Sequence, residues 1–164
     1  MRIKLTHKGI WMLSLLVWAQ FSFAQVSEGY IDLRAHNFFE SNHTLKGQWE
    51  YYDSLLLSPK QIASGDFREQ KTFFPVPGLW NNKDTSFFNS GMGFATYRLR
   101  FKTDTQISVL SININKVQNA YKLWINDSLY AHEGKVGRNR DKSDPVWKSR
   151  HYSFLNRSSG NEIV

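Results

Sequence analysis

Residues 120–132 read AYKLWINDSLYAH, and this stretch decides the fold class. Apolar and β-favouring side chains fill 120–125 and 129–132, which is typical of short strands. Asn126-Asp127 separates the two halves, and both residue types tolerate the left-handed backbone that a two-residue hairpin turn requires. The stretch therefore predicts two antiparallel strands joined by a tight turn.

Strand patterns continue on both sides of this hairpin. The clearest is TYRLRFK at 96–102, where three apolar residues point one way and three basic residues the other; these are Tyr97, Leu99 and Phe101 against Arg98, Arg100 and Lys102. Five further strands are predicted, at Tyr30–Leu33, Thr44–Tyr52, Thr72–Val76, Val109–Ile114 and Arg150–Phe154. Ser58-Pro59 before KQIA predicts one turn of helix with Ser58 as its cap. Residues 81–93 and 134–145 are predicted loops.

About eight strands with long connections favour two sheets packed face to face, which is an all-β sandwich. Glu162-Ile163-Val164 begins an apolar run at the end of the sequence. Because such sandwiches need closing strands to cover their edges, we expect this one to lack its closing strand or strands and to belong to a longer protein.

The first 24 residues have the three parts of a signal peptide. Arg2, Lys4 and Lys8 form a basic start, residues 10–23 are almost wholly apolar, and Ser22-Phe23-Ala24 is a small-x-small cleavage motif. The apolar run is shorter than the about 20 residues that span a bilayer. We therefore expect residues 1–24 to be removed and residues 25–164 to form one exported domain.

Net charge and the absence of cysteine exclude some classes of function. The formal net charge of the 164 residues is +7, and loss of Arg2, Lys4 and Lys8 lowers it to +4. No block of five like charges remains, so nucleic-acid binding is not expected. The absence of cysteine excludes disulfides and thiolate chemistry. A 41% hydrophobic and 15% aromatic content is ample for a packed core.

The sequence contains none of the common catalytic motifs, HExxH, GxSxG, the P-loop or GxGxxG. No two of the five histidines lie two to four residues apart, and no two carboxylates have a spacing that suggests an acid and base pair. We therefore expect no catalytic residue, no metal site and no cofactor. The chain is expected to be a binding domain and not an enzyme.

Four aromatic and glycine landmarks follow one another along the chain. They are LKGQWEYY at 45–52, VPGLWN at 76–81, GFATYRLRF at 93–101 and AYKLWIND at 120–127, with EGKVG behind the last. In order and spacing this set resembles the galactose-binding-like jelly roll at the front of family 2 glycoside hydrolases. AYKLWIND followed by GKVG is more similar still to the periplasmic jelly-roll domain of 7TMR-DISM receptors, which are bacterial seven-transmembrane receptors with diverse intracellular signalling modules. Asp127 departs from the pattern, since a glycine is usual there.

The resemblance covers about Gly29 to Val164. It implies a jelly-roll sandwich that senses a ligand outside the inner membrane, as part of a membrane-anchored signal transducer whose transmembrane and output modules lie beyond Val164. The implied ligand is a carbohydrate or another small polar molecule. Whether the protein is a dimer is left open.

Four residues are candidates for ligand contact: Trp80, Asn81, Arg98 and Trp147. Trp80 and Asn81 follow a Pro-Gly turn at a strand end, and Trp147 lies in a loop, where an aromatic ring can stack on a sugar. Arg98 is suited either to a carboxylate ligand or to a structural pair with Glu50 or Asp53. Trp49 and Trp124, by contrast, lie within predicted strands and are expected in the core.

Two other functions fit the same sequence. One is a non-catalytic carbohydrate-binding domain attached to a secreted glycoside hydrolase, and the other is an interaction module of the cell envelope. The receptor and the hydrolase differ in what the gene encodes after Val164: seven apolar segments in the first, a barrel with paired glutamates in the second.

Overall fold

The computed structural model describes residues 24–78 and 93–164. The strands in this part of the chain are β1 (Tyr30–Leu33), β2 (Gly47–Asp53), β3 (Lys71–Val76), β4 (Ala95–Thr103), β5 (Val109–Val117), β6 (Tyr121–Ile125), β7 (Ser128–Glu133), β8 (Lys148–Leu155) and β9 (Asn161–Ile163). One α-helix, α1 (Pro59–Ser64), and 3₁₀ turns at Arg68–Gln70 and Arg140–Lys142 lie between them. The predicted signal peptide, except Ala24, and the predicted loop at 81–93, except Gly93, lie outside the described residues.

The strands form two sheets. The larger has the order β3-β2-β4-β9-β6-β7, and β1 joins it by pairing in parallel with β4. Strands β1 and β2 share one edge of β4, since β1 pairs with residues 100–103 and β2 with residues 95–98, while β9 lies on the other edge. Strands β5 and β8 form a separate antiparallel pair. The expectation of an all-β, two-sheet architecture is confirmed.

The main core lies between these two sheets. Leu99 and Phe101 on β4 face it, and Leu110 on β5 and Phe154 on β8 close it from the opposite side. The other buried members come from β1, β6, β7, β9 and the segment before β1: Ile31, Leu33, Leu123, Ile125, Ala131, Ile163 and Val26. Alternation along β4 therefore places Arg98, Arg100 and Lys102 on the other face of the larger sheet, as predicted. We call that the outer face.

A second cluster covers one end of the outer face. It contains Tyr52, Leu57, Ile62 and Val164, with Leu55, Phe67 and Trp124 packed against them. Helix α1 brings Ile62 to this cluster, and it begins as predicted, with Ser58 as its cap and Pro59 at the first helical position. The Ser58 N–H also donates to Gln61 Oε1 at 2.9 Å, as in a capping box. The hydroxyl of Thr96 on β4 ties the segment down, because it accepts from the Leu57 N–H at 2.8 Å and donates to the Leu55 carbonyl at 2.9 Å.

The predicted hairpin is confirmed as β6–β7. Its turn residues have positive φ, 50° at Asn126 and 70° at Asp127, which matches the tight two-residue turn expected there. The second strand begins at Gly47 and not at Thr44, because the Lys46 N–H bonds to the Thr44 carbonyl in a local turn. At the other end of the sequence, β9 lies between β4 and β6, with Ile163 opposite both Leu99 and Ile125.

The two tryptophans expected in the core are both half-buried and packed against it. Trp49 lies against the main core and donates its indole N–H to the Leu45 carbonyl at 3.1 Å. Trp124 packs against the cluster of Tyr52 and Ile62 on the outer face. Neither indole is enclosed on all sides, since each lies at the margin of its cluster.

Candidate functional site

The centre of the outer face carries a buried carboxylate. Glu50 on β2 is 1% exposed, yet its two oxygens are well satisfied. Oε2 accepts from Arg98 Nη1 at 3.3 Å and from the Tyr52 hydroxyl at 3.2 Å, while Oε1 accepts from Arg100 Nη2 at 3.1 Å. Because the two arginines neutralise the charge of Glu50, the group is stable away from water.

Arg98 connects Glu50 to the last strand of the sequence. Its Nε donates to Glu162 Oε2 at 2.9 Å, and its Nη1 donates to Glu50. Burial lowers the pKa of Arg98, but the hydrogen bond and charge of Glu162, with the charge of Glu50, outweigh burial and raise it. The structural pair expected for Arg98 is therefore present with Glu50; Asp53 instead accepts from the Tyr51 hydroxyl at 2.8 Å.

Gly29 makes room for this carboxylate. Its φ is +70°, and a Cβ at this position would lie 2.4 Å from Cγ of Glu50. The backbone of Gly29 is hydrogen-bonded to both neighbouring strands. Its N–H donates to the Gln48 carbonyl and its carbonyl accepts from the Arg100 N–H, each at 2.8 Å. Only glycine lets the chain pass this closely over Glu50.

Next to the charged network the outer face opens into a cavity of about 320 Å³. Its wall is made by β1, β4, β9, the hairpin turn and the loop after β8. The lining residues are Tyr30, Arg100, Phe101, Lys102, Asn126, Asp127, Arg157, Ser159, Gly160, Asn161 and Glu162. A volume of this size is at the lower end of the range for small-molecule sites.

Three asparagine side chains hold the wall of the cavity in place. Asn126 Nδ2 donates to Asn161 Oδ1 at 2.9 Å, and Asn161 Nδ2 donates to Asn156 Oδ1 at 2.7 Å. Asn126 Oδ1 also accepts the Glu162 N–H at 2.9 Å. Asn126 and Asn161 are buried, so this chain of amides rigidly joins the hairpin turn, β9 and the loop after β8.

The cations of the wall differ in how far they are already paired. Arg157 donates to the Asn126 carbonyl at 2.7 Å and to Asp127 at 3.3 Å, and Arg100 donates to Glu50. Lys102 has no hydrogen bond or ion pair within residues 24–78 and 93–164. A free ammonium group therefore stands at the edge of the cavity.

Of the four predicted contact residues, the two that the structure describes, Arg98 and Trp147, do not line this cavity. Arg98 lies behind its wall, bonded to Glu162. Trp147 is 68% exposed and directly precedes β8, whereas the cavity contains residues of the loop after β8. An eight-residue strand spans about 23 Å, too far for one small ligand to reach both ends. Trp80 and Asn81 lie outside the described residues.

Sequence reasoning did not find the residues that line the cavity. The alternation of 96–102 places Arg100 and Lys102 on one face, and this was the only available signal. Nothing in the pattern of 156–160 indicates that Arg157 and Gly160 approach β4, because a loop has no periodicity to reveal its neighbours.

Neither a metal site nor a membrane-spanning helix is found among the described residues. In residues 24–78 and 93–164 no three His, Asp or Glu side chains converge in a way that could hold a metal ion. The same residues contain no helix long and apolar enough to cross a membrane. The polar cavity is therefore the candidate binding site in this part of the chain.

No known family model matches this chain, and neither a curated protein nor a solved structure is significantly similar to it. The likeness to 7TMR-DISM receptors thus depends on the sequence landmarks alone.

Proposed function

We propose that this chain is the extracytoplasmic ligand-sensing domain of a bacterial membrane signal-transduction protein, with a jelly roll of the galactose-binding-like type. The receptor class comes from the landmarks between Leu45 and Gly137. The binding role is supported by one observation, the cavity beside β4. An ammonium group and hydroxyl groups without partners line it, on a frame fixed by buried amides. A small polar ligand is recognised by such groups in a pre-formed concave site.

The position of the cavity suggests how binding would be transmitted. Tyr30 and Lys102 belong to β1 and β4, while Ser159 belongs to the loop after β8 and Asp127 to the hairpin turn. A ligand that contacts all of these elements would stabilise their present arrangement over any other that the domain adopts, and so shift the population toward it. The domain itself would perform no chemistry, and its bound state would bias the membrane part of the protein.

A thermal-shift screen of small polar molecules tests the binding role. A ligand that binds only the folded chain raises its melting temperature by mass action. Ser159→Phe would place a ring in the cavity without removing any hydrogen bond in the described part of the chain. Ser158→Phe is the matched control, since both serines are exposed in the same loop and only Ser159 lines the cavity.

We expect a stabilising compound to act on the unsubstituted chain and on Ser158→Phe but not on Ser159→Phe. A compound that stabilises Ser159→Phe equally would place binding elsewhere. Failure of every compound in a chemically broad library would count against a ligand-binding domain altogether.

The signalling half of the proposal is tested separately from the binding half. Sequencing the gene beyond the codon for Val164 distinguishes seven apolar segments from a hydrolase barrel with paired glutamates. A reading frame with neither would argue against both classes.

The exposed indole of Trp147 favours one second candidate, a carbohydrate-binding domain of a secreted glycoside hydrolase. Exposed aromatic rings stack on the C–H faces of sugars, and 68% exposure leaves this ring accessible. On this reading Trp147→Ala would abolish retention on insoluble polysaccharide, whereas Ser159→Phe would leave it unchanged. The opposite pattern would favour the cavity.

A further inference from the structure

The charges of the cavity wall do not cancel. Three cations and two carboxylates line it: Arg100, Lys102 and Arg157 against Asp127 and Glu162. Behind the wall Arg98 and Glu50 balance each other, so the local surplus remains one positive charge. A site with this surplus suits a single anionic group, and a dianion would meet the two carboxylates as well.

The surplus charge is located on Lys102. The carboxylate nearest to it in the sheet register is Asp32 on β1, the parallel partner of Lys102. Asp32 is already held by Arg34, whose Nε lies 3.0 Å from both of its oxygens. The hydrogen bond from Arg34 is the main reason that the pKa of Asp32 falls to about 2. Asp32 is thus ionised and hydrogen-bonded to Arg34, and the nearby charge of Lys102 also lowers its pKa. Lys102 nevertheless forms no hydrogen bond or ion pair with Asp32 in the described part of the chain, so its N–H donors remain available.

Gly160 shapes the space around Lys102. Its φ is +114°, and the position a Cβ would occupy lies 3.5 Å from Cγ and 3.8 Å from Cε of Lys102. The methylene stem of Lys102 therefore runs along the loop at Gly160, which brings its ammonium group to the side of the cavity that this loop forms.

The remaining polar groups of the wall are carboxylate oxygens, which only accept, and hydroxyls, which both donate and accept. Glu162 bonds to Arg98 through Oε2 and Asp127 bonds to Arg157 through Oδ2, and the second oxygen of each has no donor within the described residues. The hydroxyls of Tyr30 and Ser159 are likewise without partners there. Ligand hydroxyl groups fit this mixture, because each can donate to one group and accept from another.

We infer that the cavity takes a monoanionic, hydroxyl-rich molecule, a sugar acid of the uronate class, with its carboxylate on Lys102 and its hydroxyls on Glu162, Asp127, Tyr30 and Ser159. The ring of Tyr30, 37% exposed, offers an apolar face for the sugar. This inference rests on the proposed ligand-binding role of the cavity and names the ligand class.

Calorimetric titration of the full chain with four probes tests the inference. D-glucuronate has both features, D-glucose lacks the charge, acetate lacks the hydroxyls, and inorganic phosphate carries excess charge. The key variant is Lys102→Met, which keeps an apolar stem beside Gly160. Its matched control is Lys122→Met, because Lys122 is an exposed strand lysine that does not line the cavity.

We expect glucuronate to bind at least about 10-fold more tightly than any other probe, as one charge-assisted hydrogen bond provides. Lys102→Met should lower the affinity for glucuronate about 10-fold and leave that for glucose unchanged. Lys122→Met should change neither.

Three results would overturn the inference. If glucose binds as tightly as glucuronate and Ser159→Phe removes both, the cavity is a neutral-sugar site and only the charge assignment fails. If phosphate or acetate binds most tightly, the sugar assignment fails. If no probe binds, the uronate class is wrong, and the library screen with Ser159→Phe decides independently whether the cavity binds a ligand.

Discussion

Glu50 on β2 and Arg98 on β4 are opposite each other in the sheet, and Arg98 Nη1 lies 3.3 Å from Glu50 Oε2. The carboxylate is buried, while 19% of the arginine side chain remains exposed. This pair lies on the outer face of the sheet, between the apolar cluster under α1 and the polar cavity. Its position gives it a structural role whether or not the cavity is occupied.

Removal of the Glu50 charge should be strongly destabilising. In Glu50→Gln the guanidinium groups of Arg98 and Arg100 lose their shared carboxylate, and breaking a buried pair costs about 3 kcal/mol. Asp127→Asn is the control, since the pair of Asp127 with Arg157 is about half exposed and such pairs contribute less than about 1 kcal/mol. Urea unfolding of both variants measures the difference. Equal effects would show that Glu50 is not a structural centre.

The amide chain of the hairpin turn should matter more than the turn charge. Asn126→Ala would leave the Glu162 N–H without its acceptor and would remove one of the two donors to Asn161 Oδ1, at a cost of about 2 kcal/mol in the free energy of unfolding. Asp127→Gly, by contrast, should leave stability unchanged or raise it slightly, because φ at Asp127 is +70° and glycine adopts it without strain. Thermal unfolding distinguishes the two; a large loss in Asp127→Gly would contradict this view of the turn.

His43 should make the chain less stable in mild acid. Its Nε2 lies 2.9 Å from the Ala24 carbonyl, and its ring centroid lies 4.9 Å from that of His36. Burial is the main cause that lowers the pKa of His43 below 6.5; the bond to Ala24 opposes this, and the charge of His36 adds to it.

The sign of the pH effect follows from that depressed pKa. Below pH 6.5 the unfolded chain takes up the proton before the folded chain does, so stability is full above pH 6.5 and falls as the pH drops through the folded pKa. Melting temperatures between pH 8 and pH 5 should therefore decrease less for His43→Gln than for the unsubstituted chain. His151→Gln, at an exposed position on β8, is the control. If the melting temperature of His43→Gln falls with pH in parallel to that of the unsubstituted chain, His43 is not the group responsible for the loss of stability in acid.

Replacement by alanine should lower the free energy of unfolding much more at Trp49 than at Trp147. Trp49→Ala removes a half-buried ring that packs on the main core and a hydrogen bond to the Leu45 carbonyl, so we expect a loss of about 3 kcal/mol. Trp147→Ala removes an exposed ring and should change the free energy of unfolding by no more than about 0.5 kcal/mol. Chemical denaturation followed by circular dichroism tests both. Similar losses would mean that Trp147 is packed.

Much of the fold could be predicted because strands impose a period of two on the sequence. The segment 96–102 predicted both faces of β4 correctly, and Asn126-Asp127 located the hairpin turn. The strand that begins at Gly47 was predicted to begin three residues too early, since TLK is as compatible with a strand as with the local turn that it forms. Arg98 illustrates a choice that the sequence left open, and it was the approach of β2 that brought Glu50 to it.

The sequence by itself determined where most of the strands lie, which side of β4 is charged and where the chain turns back, because these depend on neighbours within a few residues. Only the tertiary structure decided that Tyr30, Lys102, Asp127 and Ser159 line one cavity while Trp147 lies at the far end of β8. Those positions depend on which strands pair and on how the loop after β8 is held by buried asparagines. Such long-range pairing follows from the burial of a shared core, and local residue patterns do not specify which distant strands will pair.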